Sequence, residues 1–187
     1  MRRLLPCLLL SILITSTCSL PLPGLHLPES PTPSPTPTST ITPGYTNCGW
    51  NWATQNLPEL SAEIQAAMEA AGLTGVTARA EAYGENCFDP QTSEVRYFAT
   101  RETDFKISIK VESLEDRPRL GELAEQVLIV LDSFPPGAMP GSNPGYVGIR
   151  FLVGSEELNL WFTVTDGEAA RATRQHGAEL LDELVNR

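Results

Sequence analysis

The chain has 187 residues, 41% hydrophobic and 19% charged, a composition that can fold and not one that stays solvated throughout. Its 13 basic and 23 acidic residues give a formal charge of −10, which argues against a general nucleic-acid binder and against adhesion of the domain itself to anionic lipid. Two histidines and four cysteines are a poor inventory for a metal centre or a His-based enzyme.

At the N-terminus, Arg2 and Arg3 lead into an apolar run from Leu4 to Ile14. The run is too short for a stable helix across about 30 Å of hydrocarbon, so the pattern predicts an export signal and not a transmembrane span. Thr15-Ser16-Thr17 and then Cys18 follow. Apolar segment, short box and cysteine together resemble the signal of bacterial lipoprotein precursors. That resemblance covers residues 1–18 and leaves the folded domain unassigned. It implies that Cys18 becomes the lipidated first residue of a protein anchored to the cell membrane on its extracytoplasmic side. Cleavage near Cys18 by an ordinary signal peptidase would give a secreted protein instead.

Residues 19–44 are rich in Pro, Thr and Ser, most densely over Ser30-Pro31-Thr32-Pro33-Ser34-Pro35-Thr36-Pro37-Thr38. No apolar period runs through them, so they are expected to form a disordered tether. At about 3.1 Å per residue in polyproline II, Pro28 to Gly44 gives roughly 50 Å of reach. Signal removal discards Cys7 and lipidation uses Cys18. Cys48 and Cys87 are then the remaining pair in an oxidising compartment, and one disulfide is expected.

Residues 45–187 are long enough for one domain. A helix is predicted from about Pro58 to Ala71, with Leu60, Ile64, Ala67 and Met68 on one stripe and Gly72 at its end. A strand follows from about Val76 to Gly84, then an Asp89-Pro90 turn. Residues 94–111 are β-like, with Phe105, Ile107, Ile109 and Val111 alternating against polar neighbours. A bend or tight turn near Thr100 to Asp104 would divide this long stretch. Leu120, Leu123, Val127, Val130, Leu131 and Phe134 mark a second helix. Strands Tyr146–Val153 and Leu158–Val164 would flank a four-residue hairpin loop, Gly154–Glu157. Thr165-Asp166-Gly167-Glu168 would cap a last helix, broken near Gly177. The expected fold is α+β: one antiparallel sheet of four to five strands with helices mainly on one face, in the order α-β-β-(β)-α-β-β-α. That order is similar to the fold of type III secretion chaperones, an analogy that carries no motif and no function.

Chemistry-bearing patterns are few. His176 is expected at a helix end facing solvent, and no Gly-x-Ser-x-Gly elbow or phosphate-binding Gly loop occurs. Glu102 and Asp104 flank Thr103 on the outward parity of their strand, an arrangement that suits solvated charge better than paired-carboxylate hydrolysis. The aromatics are more informative. Trp50 and Trp52 stand at i and i+2 just after Cys48, and outward strand parity places Tyr83 and Trp161 on an open sheet face. The four-residue loop would pair Arg150 with Trp161, letting the guanidinium stack on the indole. Trp161, Arg150, Tyr83, Trp50 and Trp52 are therefore the candidate binding surface, with no metal and no cofactor expected. The predicted function is a tethered, non-catalytic extracytoplasmic module for a protein, peptide or envelope polymer. A carboxylate-dependent envelope hydrolase and a ligand-free spacer domain are the alternatives.

Overall fold

The order of elements in the computed structural model, which describes residues 48–173 and 175–186, is β-α-β-β-α-β-β-α-α. The expected signal segment and tether, with Cys18 between them, lie outside the described residues. The strands are β1 (Gly49–Asn56), β2 (Val76–Phe88), β3 (Val95–Lys110), β4 (Tyr146–Val153) and β5 (Glu156–Thr163). The helices are α1 (Pro58–Ala70), α2 (Arg117–Asp132), α3 (Val164–Ala172) and α4 (Gly177–Val185). The strands form one sheet in sequence order, antiparallel at every junction except β3–β4, which is parallel. The fold is thus α+β with a single mixed sheet. The antiparallel expectation fails at one junction because α2 connects β3 to β4 as a crossover, which returns the chain in the same direction.

Alternation decides which face is buried. Val76, Ala78 and Ala80 of β2, Phe105, Ile107 and Ile109 of β3, Val147, Ile149 and Phe151 of β4, and Leu160 and Phe162 of β5 all point to one side. Leu120, Leu123, Ala124 and Val127 of α2, with Leu180, Leu181 and Leu184 of α4, close over them. The small β2 residues let α1 approach, and its apolar stripe Leu60, Ile64 and Met68 is buried there. At the end of α1, Gly72 takes φ +86°, Leu73 N–H reaches the Met68 carbonyl, and both side chains enter the core. This is a Schellman stop, and its left-handed residue explains why glycine ends the helix.

β1 is an element that hydrophobic pattern did not predict, and it also overturns the helix-first order and the chaperone-like order drawn from it. It pairs only with the second half of β2, from Asn56↔Glu81 to Gly49↔Phe88. The first half of β2 is covered instead by α1. Leu57 N–H donates to the Ala80 carbonyl at 3.0 Å, Ala80 N–H to Ser61 Oγ at 2.8 Å, and Ala78 N–H to Gln65 Oε1 at 2.7 Å, while Gln65 Nε2 donates to the Val76 carbonyl at 3.1 Å.

The stretch predicted to bend is one continuous strand, β3, with register shifts against β2 at Tyr83/Gly84 and Cys87/Phe88. At the first shift Arg101 is the extra residue, and its carbonyl accepts the N–H groups of Ser142 and Asn143. A bulge and not a turn therefore breaks the parity. The C-terminal hairpin turns on two residues, Gly154 and Ser155, with Gly154 at φ +57°, as the first position of a II′ turn prefers. The register consequently shifts by two from the four-residue expectation. Gly148 lies opposite Trp161 and Arg150 lies opposite Asn159, so the expected Arg150–Trp161 pair does not form. The final helix is two, α3 and α4, separated at residues 173–176. Its cap sits earlier than expected: Thr163 Oγ1, not Thr165, accepts the Asp166 N–H at 3.0 Å.

Candidate functional site

Among the described residues, the face of the sheet opposite the helices carries the tryptophan and tyrosine side chains. Trp50 and Trp52 project from β1, Tyr83 from β2, Tyr97 from β3, Tyr146 from β4 and Trp161 from β5, all on the parity opposite the core residues. The core aromatics, by contrast, are phenylalanines: Phe105, Phe151 and Phe162. All three tryptophans of the chain are on this face, and Trp50, Trp52 and Trp161 remain 47%, 52% and 51% exposed.

The rings are organised by strand register. Trp52 stacks on Tyr83 with ring centres 5.2 Å apart and planes 3° from parallel, and the Arg101 guanidinium lies over the Trp52 ring at 5.2 Å. The bulge at Arg101 brings that side chain onto the aromatic face. Trp50, Cys87 and Tyr97 form one row across three strands. The two rings meet edge-on at 5.6 Å and Cys87 is fully buried. Cys87 bonds to Cys48, the residue before β1, so the expected disulfide is present and joins the start of β1 to the far end of β2. The Gly49-Trp50-Asn51-Trp52 segment is thus an edge strand and not a loose lead-in. On the other half of the face, Trp161 stacks on Tyr146 at 5.5 Å and 12°. Its ring lies against Gly148, where a Cβ would come within 2.6 Å of the indole. The first group draws on β1, β2 and β3, and the second on β4 and β5.

Arg79 and Lys106 share the cross-strand row of Gly148 and Trp161, and Arg150 lies in the next row, on the side away from Trp52 and Tyr83. Glu81 pairs with Lys106 and lies 3.7 Å from Arg79, and Arg150 lies 3.5 Å from Glu157. The carboxylates that suggested hydrolysis are placed differently from one another. Asp104 Oδ1 accepts the Tyr146 N–H at 2.9 Å and so pins the start of β4 to β3. Burial holds the Glu102 carboxyl above its ordinary range, the Asp104 charge adds to this, and Arg101 opposes it. His176 precedes α4 as an exposed residue, its Nδ1 3.0 Å from Glu125 Oε1, on the helix side of the molecule. Among the described residues no group of three His, Cys, Asp or Glu is placed to hold a metal ion, and no helix is long and apolar enough to cross a membrane.

All five candidate residues, Trp50, Trp52, Tyr83, Arg150 and Trp161, therefore share one face, in two groups. Tyr97, Arg101 and Tyr146 were missed. Tyr146 shares the parity of Arg150, so alternation carried that signal; Tyr97 and Arg101 are hidden behind the bulge. No protein-family model, curated protein or solved structure matches the chain.

Proposed function

We propose that this protein is a lipid-anchored, extracytoplasmic binding module whose helix-free sheet face holds a protein, peptide or envelope polymer. The observation that carries the reading is the sorting of aromatics: every tryptophan lies half-exposed on the face without helices, and the core is left to phenylalanine. Clustered, pre-stacked Trp and Tyr present large contact area with little rotamer entropy to lose on binding. The N-terminal segment supports the anchoring, with Cys18 as the lipidated residue, and the Pro/Thr/Ser stretch would carry the domain away from the membrane.

The test is capture of material from an envelope extract by the full-length protein in detergent. Trp161→Ala and the double variant Trp50→Ala/Trp52→Ala should lose captured material, whereas His176→Ala should retain it. Loss with His176→Ala, and retention with both tryptophan variants and Arg150→Ala, would place the site elsewhere and overturn the reading.

A further inference from the structure

A shallow groove of about 300 Å³ crosses four strands on the helix-free face. Its floor is Gly148, and Trp161 stands on one side. Arg79, Lys106, Gly148 and Trp161 form one cross-strand row, and Ser108, Arg150 and Asn159 lie in the next. In a chain with 23 acidic and 13 basic residues, the lining holds three cations and no carboxylate. The pairing acids stand outside it: Glu81 is shared between Arg79 and Lys106, and Glu157 lies 3.5 Å from Arg150 and accepts from Asn159 Nδ2, so three cations face two carboxylates. A positive groove in so acidic a molecule is complementary to an anion.

Three features narrow the class. The cations stand on three adjacent strands, about 4.8 Å from one backbone to the next, so the charge is spread along the groove instead of focused as at a phosphate nest. The groove runs over the face of the sheet, where backbone N–H and C=O groups are already engaged in ladders. A peptide would gain no main-chain pairing there, since strand addition requires an edge. What the groove offers is an aromatic ring, the Ser108 hydroxyl, the Asn159 amide and guanidinium forks, which suits ring stacking, hydroxyl groups and carboxylates.

We propose that the groove binds a carboxylate-bearing sugar chain. One sugar ring lies on Trp161, its carboxylate meets Arg150 and Lys106, and its hydroxyls bond to Asn159 and Ser108. This rests on the helix-free face being the binding surface and assigns the ligand class to it.

The test is calorimetric titration of the full-length protein in detergent with a short oligouronate, with the neutral oligosaccharide made by reducing its carboxylates, and with an oligoglutamate of equal charge. The oligouronate should bind at least about tenfold more tightly than either control, the scale of one charge-assisted hydrogen bond. Arg150→Gln and Trp161→Ala should each weaken it about tenfold, with an unchanged melting temperature as the folding control. Raising the salt should weaken it further. Equal binding of the neutral sugar would overturn the charge assignment, and equal binding of the oligoglutamate would overturn the sugar. In either case a Trp161→Ala loss would leave the face intact as a binding surface. No binding by any probe would overturn the ligand class, while the envelope capture above judges the face independently.

Discussion

Helix propensity and helix packing make opposite predictions at Gly121, in the second turn of α2. A glycine in a helix interior is about 1 kcal/mol less favourable than alanine, so propensity alone predicts that Gly121→Ala stabilises the protein. The crossing of α2 and α4 says otherwise. A Cβ at Gly121 would sit 1.7 Å from the Gly177 carbonyl oxygen, against a floor of 3.0 Å for real Cβ contacts. The obstruction is backbone, so no rotamer change relieves it, and α4 must move away from α2. That motion loosens Leu120, Leu180 and Leu181, all buried to completion. Overpacking of this kind costs about 3 kcal/mol at the upper end of its usual range, which leaves a net loss of about 2 kcal/mol after the propensity gain. For a domain of this size that is a melting-temperature decrease of roughly 6–8 °C. Gly137→Ala is the control, because nothing lies within 4 Å of the Cβ it would add. Urea and thermal unfolding of both variants decide the matter. A Gly121→Ala protein as stable as wild type, with the same denaturant dependence, would refute the crossing as the reason for this glycine.

Three further outcomes are expected. Cys48→Ser/Cys87→Ser opens a bridge with a sequence separation of 39, for which the chain-entropy model gives about 4 kcal/mol, read as a lower urea midpoint than that of the oxidised wild type. Glu102 binds its proton more readily folded than unfolded, so its contribution to stability grows as pH falls through the raised folded-state value and is lost as pH rises past it. Glu102→Gln should therefore raise stability relative to wild type at neutral pH, with the difference shrinking on acidification; a constant difference would refute the assigned cause. Metabolic labelling with a fatty-acid analogue should mark the wild-type protein and not Cys18→Ser, and equal labelling of both would exclude lipidation at Cys18.

Legibility followed periodicity. The stripe from Leu120 to Leu131 and the alternation from Phe105 to Val111 each repeat often enough to reveal both element and buried side, and α2 and the core half of β3 lie where they predict. β1 carries the same alternation turned over: Trp50 and Trp52 face outward while Asn51 and Gln55 occupy the other side, beyond the reach of the helices. A rule that equates apolar with inward does not register such a strand. Parallel pairing of β3 with β4 is likewise absent from either strand taken alone, since Ile107↔Ile149 and Ile109↔Phe151 would serve equally well in an antiparallel ladder. The outward parity of Trp161 survived a wrong loop length because the register error was two residues, and an even slip keeps every side chain on its own face.

The contacts from α1 to β2 bear on self-association. Ser61 and Gln65 occupy places on the β2 ladder that a neighbouring strand would otherwise take, so α1 serves as a false strand along the stretch that β1 does not reach. Replacing both by leucine would keep α1 helical, but would leave the N–H groups of Ala78 and Ala80 without their acceptors and so loosen α1 from this edge. Two polar side chains on one helix thus occupy the edge positions that a strand of another copy would need in order to extend the sheet.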